Sequence, residues 1–367
     1  MTVISSDDIS VIVQGAINSK NTLSCLKRIR KYLPASEIIL STWEGSDVST
    51  LSGLYDKLIL NTDPGAVLRE ENVYGKIFNN LNRQLLSTQA GLKLATRKYS
   101  LKFRTDLILT SNKFLKYFDS FPCRTQDYKL FEHKILTSAL FSKFYLYYDR
   151  KEKRWVNVPF HISDWWLFGL TNDLKTYFLD TKLVEEPEFT TYFNLTENKN
   201  KITPYGEIKF KFAPEQYFGY SCFSRNFEDI FMQDAADYSE KTELQSRKCI
   251  INNFIILQYK QSGIYLNKYP YSKNEKFFGE LYLGLYNNFR FETEYKKFCD
   301  PNYKTSFDDS VIGNLKIEYA LLRIYKHISV LTNPQTPLPK KLEQIFLSIP
   351  LTSIAFIKEF IVSKILK

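Results

Sequence analysis

Four short apolar runs with helical segments between them occupy the first hundred residues, and this alternation restricts the chain more than any other feature. Ser10-Val11-Ile12-Val13-Gln14 ends at Gly15 and reads as a buried strand. Beyond it Leu23, Leu26, Ile29 and Leu33 fall at helical spacing, while Lys27, Arg28, Arg30 and Lys31 face water. Asn21 or Thr22 is placed to cap that helix and Pro34 to end it. Residues 38–43 and 57–61 read as a second and third strand, and 80–98 as a helix carrying Leu81, Leu85, Leu92 and Ala95 inward. Residues 99–103 form a fourth strand, closed by Arg104-Thr105-Asp106. Strands and helices that alternate in this way build a mostly parallel α/β sheet.

Ligands on parallel sheets bind beyond the carboxyl ends of the strands. The polar residues of interest are therefore those at 14–18, 42–47, 61–65 and 104–106. Further on, residues 119–154 are aromatic and basic and end in a polar turn at 149–153. Residues 158–169 read as a strand with polar side chains at its lip, on which Trp165 and Trp166 would point to opposite faces with one of them in the core. Asn172 or Asp173 opens a short helix, and 185–206 reads as a loop. From Pro214 to Thr332 the pattern is mainly helical, with breaks at Pro270 and Pro301, and Pro334, Pro337 and Pro339 mark a linker. The expected divisions are 1–213, 214–333 and 334–367.

Charge narrows the function classes. The 367 residues hold 50 Lys plus Arg against 40 Asp plus Glu, a net +10 that invites a nucleic-acid reading. The excess is diffuse, however, and no zinc-finger spacing, basic-region heptad or RGG tract accompanies it. It is densest in residues 331–367, with five basic and two acidic groups, which points to an anionic surface met by the C-terminal segment and not to nucleic acid. The N-terminal residues have no basic n-region or long apolar core, so a cytoplasmic chain is expected. Its five scattered cysteines (Cys25, Cys123, Cys222, Cys249, Cys299) read as reduced thiols. No run of about 18 apolar residues suits a membrane span.

Several familiar sites are missing. There is no P-loop, Gly15 stands outside any G-x-G-x-x-G, and His133, His161 and His327 lack the spacing of a zinc set. What is left is Arg104-Thr105-Asp106 directly after a strand. A carboxylate there can bind a divalent cation and a guanidinium can neutralise a diphosphate, though an ordinary surface ion pair has the same spacing. Asn82-Arg83-Gln84, one turn into its helix, is placed to reach a nucleotide from the side.

Taken together, Val11-Ile12-Val13-Gln14-Gly15-Ala16-Ile17, the stretch from Glu37 through Trp43 to Asp47, Asn82-Arg83-Gln84 with Ser87-Thr88, Lys102-Phe103-Arg104-Thr105-Asp106 and Pro159-Phe160-His161-Ile162-Ser163-Asp164-Trp165 resemble, in this order, the WavE family of lipopolysaccharide-synthesis proteins. The match spans roughly residues 8–220. The resemblance implies a GT-A-like (Rossmann-like) glycosyltransferase with a helical C-terminal region. It would carry a sugar from a nucleotide-sugar donor, UDP-linked, to a growing lipopolysaccharide or capsular polysaccharide acceptor on the cytoplasmic face of the bacterial inner membrane. In such enzymes a D-x-D motif holds Mn2+ or Mg2+ and the donor diphosphate. Here Arg104 stands where the first Asp falls and supplies part of that positive charge itself, leaving Asp106 as the metal or ribose contact.

The same resemblance gives the other roles. Gln14, Gly15 and Ala16 would let the backbone approach base and ribose, with Thr42, Trp43 and Asp47 beside the base. Asn82, Arg83 and Gln84 would flank the donor, and Lys102 and Arg104 would meet its diphosphate. His161 and Trp165 would line the acceptor pocket. Glu215, at a helix start, is the first choice for the general base and Asp164 the second; Glu215 equally suits the helix dipole, and Asp164 a structural hydrogen bond. Two other readings stay open: a non-catalytic carbohydrate-binding or scaffold subunit of an assembly complex, and a sugar-phosphate transferase.

The C-terminal segment adds one expectation. After Pro350, Leu351, Ile354, Ala355, Ile357, Ile361, Val362, Ile365 and Leu366 share a helical face with Lys358, and this basic amphipathic helix suits an anionic bilayer interface. A terminal helix docked on the protein's own core or on a second copy has the same pattern.

Overall fold

Val11, Ile12 and Val13 have no polar alternation, and a strand of that kind must be buried on both faces. The computed structural model, which describes residues 3–72, 75–149, 154–185, 211–235, 237, 239–267 and 284–306, places that strand, β1 (Ile9–Gln14), in the interior with all six residues buried. The further strands are β2 (Glu37–Trp43), β3 (Lys57–Asn61), β4 (Val67–Asn72), β5 (Gly75–Asn79), β6 (Tyr99–Arg104), β7 (Leu107–Leu109), β8 (Ile135–Ser138), β9 (Tyr145–Asp149), β10 (Arg154–Asn157), β11 (Trp166–Leu170), β12 (Phe254–Leu257) and β13 (Ile264–Leu266). The helices are α1 (Ser19–Tyr32), α2 (Leu81–Leu94), α3 (Thr171–Phe178), α4 (Pro214–Asn226), α5 (Glu240–Asn253), α6 (Tyr259–Ser262) and α7 (Asn288–Phe298).

Seven strands form one sheet in the order β12-β8-β11-β6-β1-β2-β3. Only β11 runs antiparallel to its neighbours β6 and β8; every other pair is parallel. The carboxyl ends of β1, β2, β3, β6, β8 and β12 therefore share one edge, and the chain enters β11 at that edge. The expected mostly parallel α/β sheet is the fold. Pairs β4–β5, β9–β10 and β7–β13 lie outside the main sheet.

Helix α2 lies against β1, β2 and β3. Its closest approach is at Gly91, where a Cβ would stand 2.2 Å from Ile12 Cγ2. Beside it α3 packs on α2 and β11, α4 packs on α3, and α5 and α7 pack on β12. Among the described residues aromatic side chains build two clusters: Tyr99, Phe114, Phe118 and Phe168 form one of edge and stacked contacts. The second is made of Phe131, Tyr177, Phe223 and Phe254.

Several local expectations change. Helix α1 is capped by Asn18, whose side chain accepts from Asn21 N, and not by Asn21 or Thr22. Helix α2 stops at Leu94, before Lys98. The short helix begins at Thr171, and Asp173 in its first turn accepts instead from the backbone N–H groups of Glu132 and His133. The strand expected over 158–169 is present only as β11, because residues 159–165 satisfy their backbone largely through side chains and local turns and not through a ladder. Trp165 lies outside the strand, edge-on to Phe141 at 5.4 Å, so both tryptophans are buried. The region after Pro214 is not wholly helical among the described residues: β12 and β13 interrupt it. Phe254-Ile255-Ile256-Leu257 is a short continuous apolar run, which periodicity does not separate from the helix before it.

All five cysteines are free, with Cys25, Cys222 and Cys249 buried. Among the described residues no helix is long and apolar enough to cross a membrane. The chain divides into one unit of Met1–Lys273 with Leu285–Lys304 and another of Asn274–Gly284 with Thr305–Lys367. Most of the loop at 185–206, the turn at 150–153, His327 and the C-terminal helix lie outside the described residues.

Candidate active site

Two backbone turns meet at the carboxyl edge where β1 and β6 end. Thr105 N donates to Gln14 O (3.1 Å) and Thr105 Oγ1 to Ala16 O (2.9 Å), while Gly15 N donates to Ser41 O (3.1 Å). Gly15 has φ +121°, and a Cβ there would come within 3.3 Å of Thr105 Oγ1. A glycine is therefore required where these turns close on each other. The Gln14 side chain turns down to α2 and accepts from Ser87 Oγ (2.8 Å), so only the backbone of residues 14–16 is presented at the edge.

Arg104 and Asp106 project beside this turn as a two-point pair, Nε–Oδ1 3.0 Å and Nη2–Oδ2 2.8 Å. Burial opposes the guanidinium's charge, but Asp106 outweighs it and holds the Arg104 pKa above its ordinary value. Both carboxylate oxygens of Asp106 are occupied by this pair. Among the described residues no group of three or more His, Cys, Asp or Glu side chains is gathered for a metal ion. Asp106 is the carboxylate here that would contact a divalent cation, and in this structure it is paired with Arg104.

Residues 159–165 form the opposite wall. Their carbonyls are held by Gln216 Nε2 on Pro159 O (3.0 Å), Lys143 N on His161 O (3.1 Å) and Thr137 Oγ1 on Ser163 O (3.0 Å). Asp164 O receives both Lys102 Nζ and, at 3.2 Å, Gln84 Nε2. Ser163 adds N–H to Ser142 Oγ (2.9 Å) and Oγ–H to Leu140 O (2.6 Å). Phe160 sits in the left-handed region at φ +55°, fixed by its N–H on Ser246 Oγ (2.7 Å). Helix α4 comes close to this turn because Gly219 has no side chain; a Cβ there would lie 2.5 Å from Phe160 O.

Pro214 occupies the first turn of α4, where its missing N–H and fixed φ cost nothing. Glu215 follows it, its side chain 20% exposed and its Oε2 3.9 Å from His161 Nε2. Burial, and after it the charge of Asp164, push the Glu215 carboxyl up to about 7 against the pull of Lys143 and Arg104. His161 is held well below the usual imidazole range by burial and by Lys143, so its ring is neutral. Burial also lowers Lys143, although Glu215 favours its charge. A carboxyl that changes charge near neutrality beside a fixed neutral imidazole has the properties of a general acid–base group.

The other expected contacts divide. Asn82 spends both polar atoms on the backbone of Val184, accepting its N–H at 2.9 Å and donating to its O at 2.8 Å. Its side chain is a clamp on the chain after α3, not a donor contact. Lys102 is wholly buried with its ammonium on Asp164 O, so it does not reach a diphosphate in this arrangement. Asp47 caps the turn at Ser49, through N–H (2.9 Å) and Oγ–H (2.6 Å). Thr42 Oγ1 meets Ser46 Oγ at 3.3 Å, and Trp43 ends β2 half-buried at the edge. Arg83 stands at the rim in a two-point pair with Asp63 (2.7 and 2.6 Å).

Sequence reasoning did not single out Lys143, Gln216 or Asp63. Gln216 was legible as the third residue of a proline-started helix and Asp63 only as one of the polar residues at 61–65; Lys143 carries no local signal.

The fold and this edge define a mixed α/β protein with a preorganised, charge-rich site at the carboxyl ends of its parallel strands. The family model for WavE lipopolysaccharide synthesis matches residues 9–315, and the chain belongs to that family. No curated protein matches it. Among solved structures it is similar to the crystal structure of S. aureus TarS 1-349, at 11% identity and TM-score 0.33, covering 93% of this chain and 78% of that one. It is also similar to the crystal structure of S. aureus TarS, at 13% identity and TM-score 0.29, covering 86% of this chain and 43% of that one. At these values neither likeness adds to the fold already described.

Proposed function

We propose that this protein is a glycosyltransferase of GT-A type that moves a sugar from a UDP-linked donor to a growing lipopolysaccharide or capsular polysaccharide acceptor. Membership of a lipopolysaccharide-synthesis family gives the setting. The observation that carries the reading is Glu215, a carboxyl set near neutrality at the edge where a parallel sheet receives its ligands. In this reading the Gln14–Ala16 backbone, Thr42 and Trp43 receive the nucleoside, and Arg104 faces the diphosphate once its pairing with Asp106 is shared. Ionised Glu215 takes the proton of the acceptor hydroxyl as that oxygen attacks the anomeric carbon. Neutral His161 orients the hydroxyl, and nucleoside diphosphate leaves with the electrons of the broken glycosyl bond.

Work on the cytoplasmic face of the inner membrane follows in this reading from the lipid-borne acceptor and the basic C-terminal segment. Incubation with a panel of nucleotide sugars and membrane glycolipid, followed by mass spectrometry of the product, tests the proposal. A new glycosidic linkage with release of nucleoside diphosphate supports it. A phosphodiester product would make the protein a sugar-phosphate transferase, and glycan binding without affinity for any nucleotide would make it a scaffold subunit. Truncation after Asn333 is expected to release the protein from membrane fractions, and unchanged sedimentation contradicts that part.

A further inference from the structure

Lys102 lies in the middle of β6, paired with Ile12 of β1 and Leu167 of β11, and is 0% exposed. An ammonium in such a place is retained only where its charge and its donors are used. Its hydrogen bond goes to one atom, the carbonyl oxygen of Asp164, which Gln84 Nε2 reaches from α2 as well. The two donors approach from a strand and a helix, so they fix that peptide unit from two elements. The peptide belongs to the wall segment that carries His161 and Asp164. Burial pushes the Lys102 pKa down to about 7, with Asp164, Asp106 and Glu215 favouring the charged form and Arg104 opposing it; the amino group donates to that oxygen in either form, and more strongly as the cation.

We infer that Lys102 is a positioning residue, which acts through the Asp164 carbonyl to set the wall segment against Glu215 and does not touch the donor. Its kinetic consequence rests on the glycosyltransferase reading; the positioning itself does not. Segment 159–165 has no strand ladder of its own, so losing one of these bonds loosens it locally while the sheet beneath stays intact.

The test compares wild type with Lys102→Met, which keeps the length of the side chain without its charge, and with Gln84→Leu, which removes the second donor from a part-buried position. Hydrogen–deuterium exchange is followed in peptides covering 158–170 and, as an internal reference, 9–17. Lys102→Met is expected to speed exchange in the first by about tenfold or more and to leave the second unchanged, with Gln84→Leu acting in the same direction. Calorimetric titration with UDP is expected to give affinities within about twofold of wild type, while kcat for transfer falls about 10- to 100-fold at unchanged donor KM.

Unchanged exchange over 158–170 in both variants would overturn the inference. Faster exchange throughout the chain in both would make the role generally structural, and a large loss of UDP affinity with kcat retained would make Lys102 a phosphate contact. If wild type transfers sugar from no donor, the glycosyltransferase reading falls, and the exchange comparison still decides the position of Lys102.

Discussion

His161 Nε2 stands 3.9 Å from Oε2 of Glu215, joining the wall segment before β11 to the first turn of α4. This contact is not an ion pair around neutrality. Burial keeps the imidazole neutral, and burial with the Asp164 charge keeps the carboxyl protonated up to about 7. The pair is a polar seat whose charge state is set by Glu215 alone.

The rate of transfer should follow that carboxyl. A base works ionised, so kcat/KM is expected to rise with pH through about 7 and level above it. Glu215→Gln should lower kcat by roughly 10²- to 10⁴-fold and remove this limb. A pH–rate series on both proteins checks it.

Stability should move the other way at the same residue. The folded Glu215 pKa of about 7 lies above the ordinary 4.5, so the folded state holds the extra proton between those values. Stability is lost as pH rises across that window and stays lost above it. Glu215→Gln escapes this cost and should gain about 1–3 kcal/mol at pH 8, read by urea unfolding, with no gain below pH 4.

Glu37 gives the opposite case, far from the site at the amino edge of the sheet. Burial disfavours its charge, but Lys57, Ser10 and Thr96 outweigh that and hold it down to about 2. Its stabilisation is complete above the ordinary 4.5 and is lost as pH falls through 2. Glu37→Gln should cost about 2–3 kcal/mol at pH 7 and flatten the acid limb of the unfolding curve between those values.

Gly219→Ala tests how closely α4 must approach the wall. The added methyl would meet Phe160 O at 2.5 Å, a backbone atom fixed on both sides. A loss of about 1–3 kcal/mol is expected in thermal unfolding, with a larger proportional loss of kcat than of donor affinity. A variant equal to wild type in both would show that the helix can slide.

Arg83 and Asp63 pair at the rim with 35% and 39% of their side chains exposed. Such a pair contributes less than about 1 kcal/mol, so Arg83→Ala should leave the melting curve almost unchanged. Its expected effect is on nucleotide-sugar affinity. Asp63→Ala, which leaves the guanidinium its bond to Asn80 Oδ1 (2.9 Å), should not reproduce that loss.

The sheet was legible because β1, β2, β3 and β6 are short, mostly apolar segments bounded by polar turns; β1, β2 and β6 lie buried inside the sheet, and β3 is its half-exposed edge. Glu215 was legible from the proline before it, and Arg104 and Asp106 from their place directly after a strand. Partners set by distance along the chain were not. Asn82 reads as a ligand contact until Val184, 102 residues away, takes both its polar atoms. Lys102 reads as a phosphate contact until Asp164, 62 residues on, is seen to receive it. The wall segment has the composition of a strand, and only its side-chain partners, donors from β8, α2 and α4 and an acceptor from α5, show that it is not one.

Glu215 is expected to act as the base in sugar transfer from a nucleotide donor. The most direct measurement is single-turnover transfer from a labelled UDP-sugar to membrane glycolipid at pH 8, by wild type and Glu215→Gln side by side, with UDP binding measured on both. Labelled glycolipid is expected from wild type, with at least about a hundredfold less from the variant and equal UDP affinity. Transfer by the variant at the wild-type rate would contradict that role.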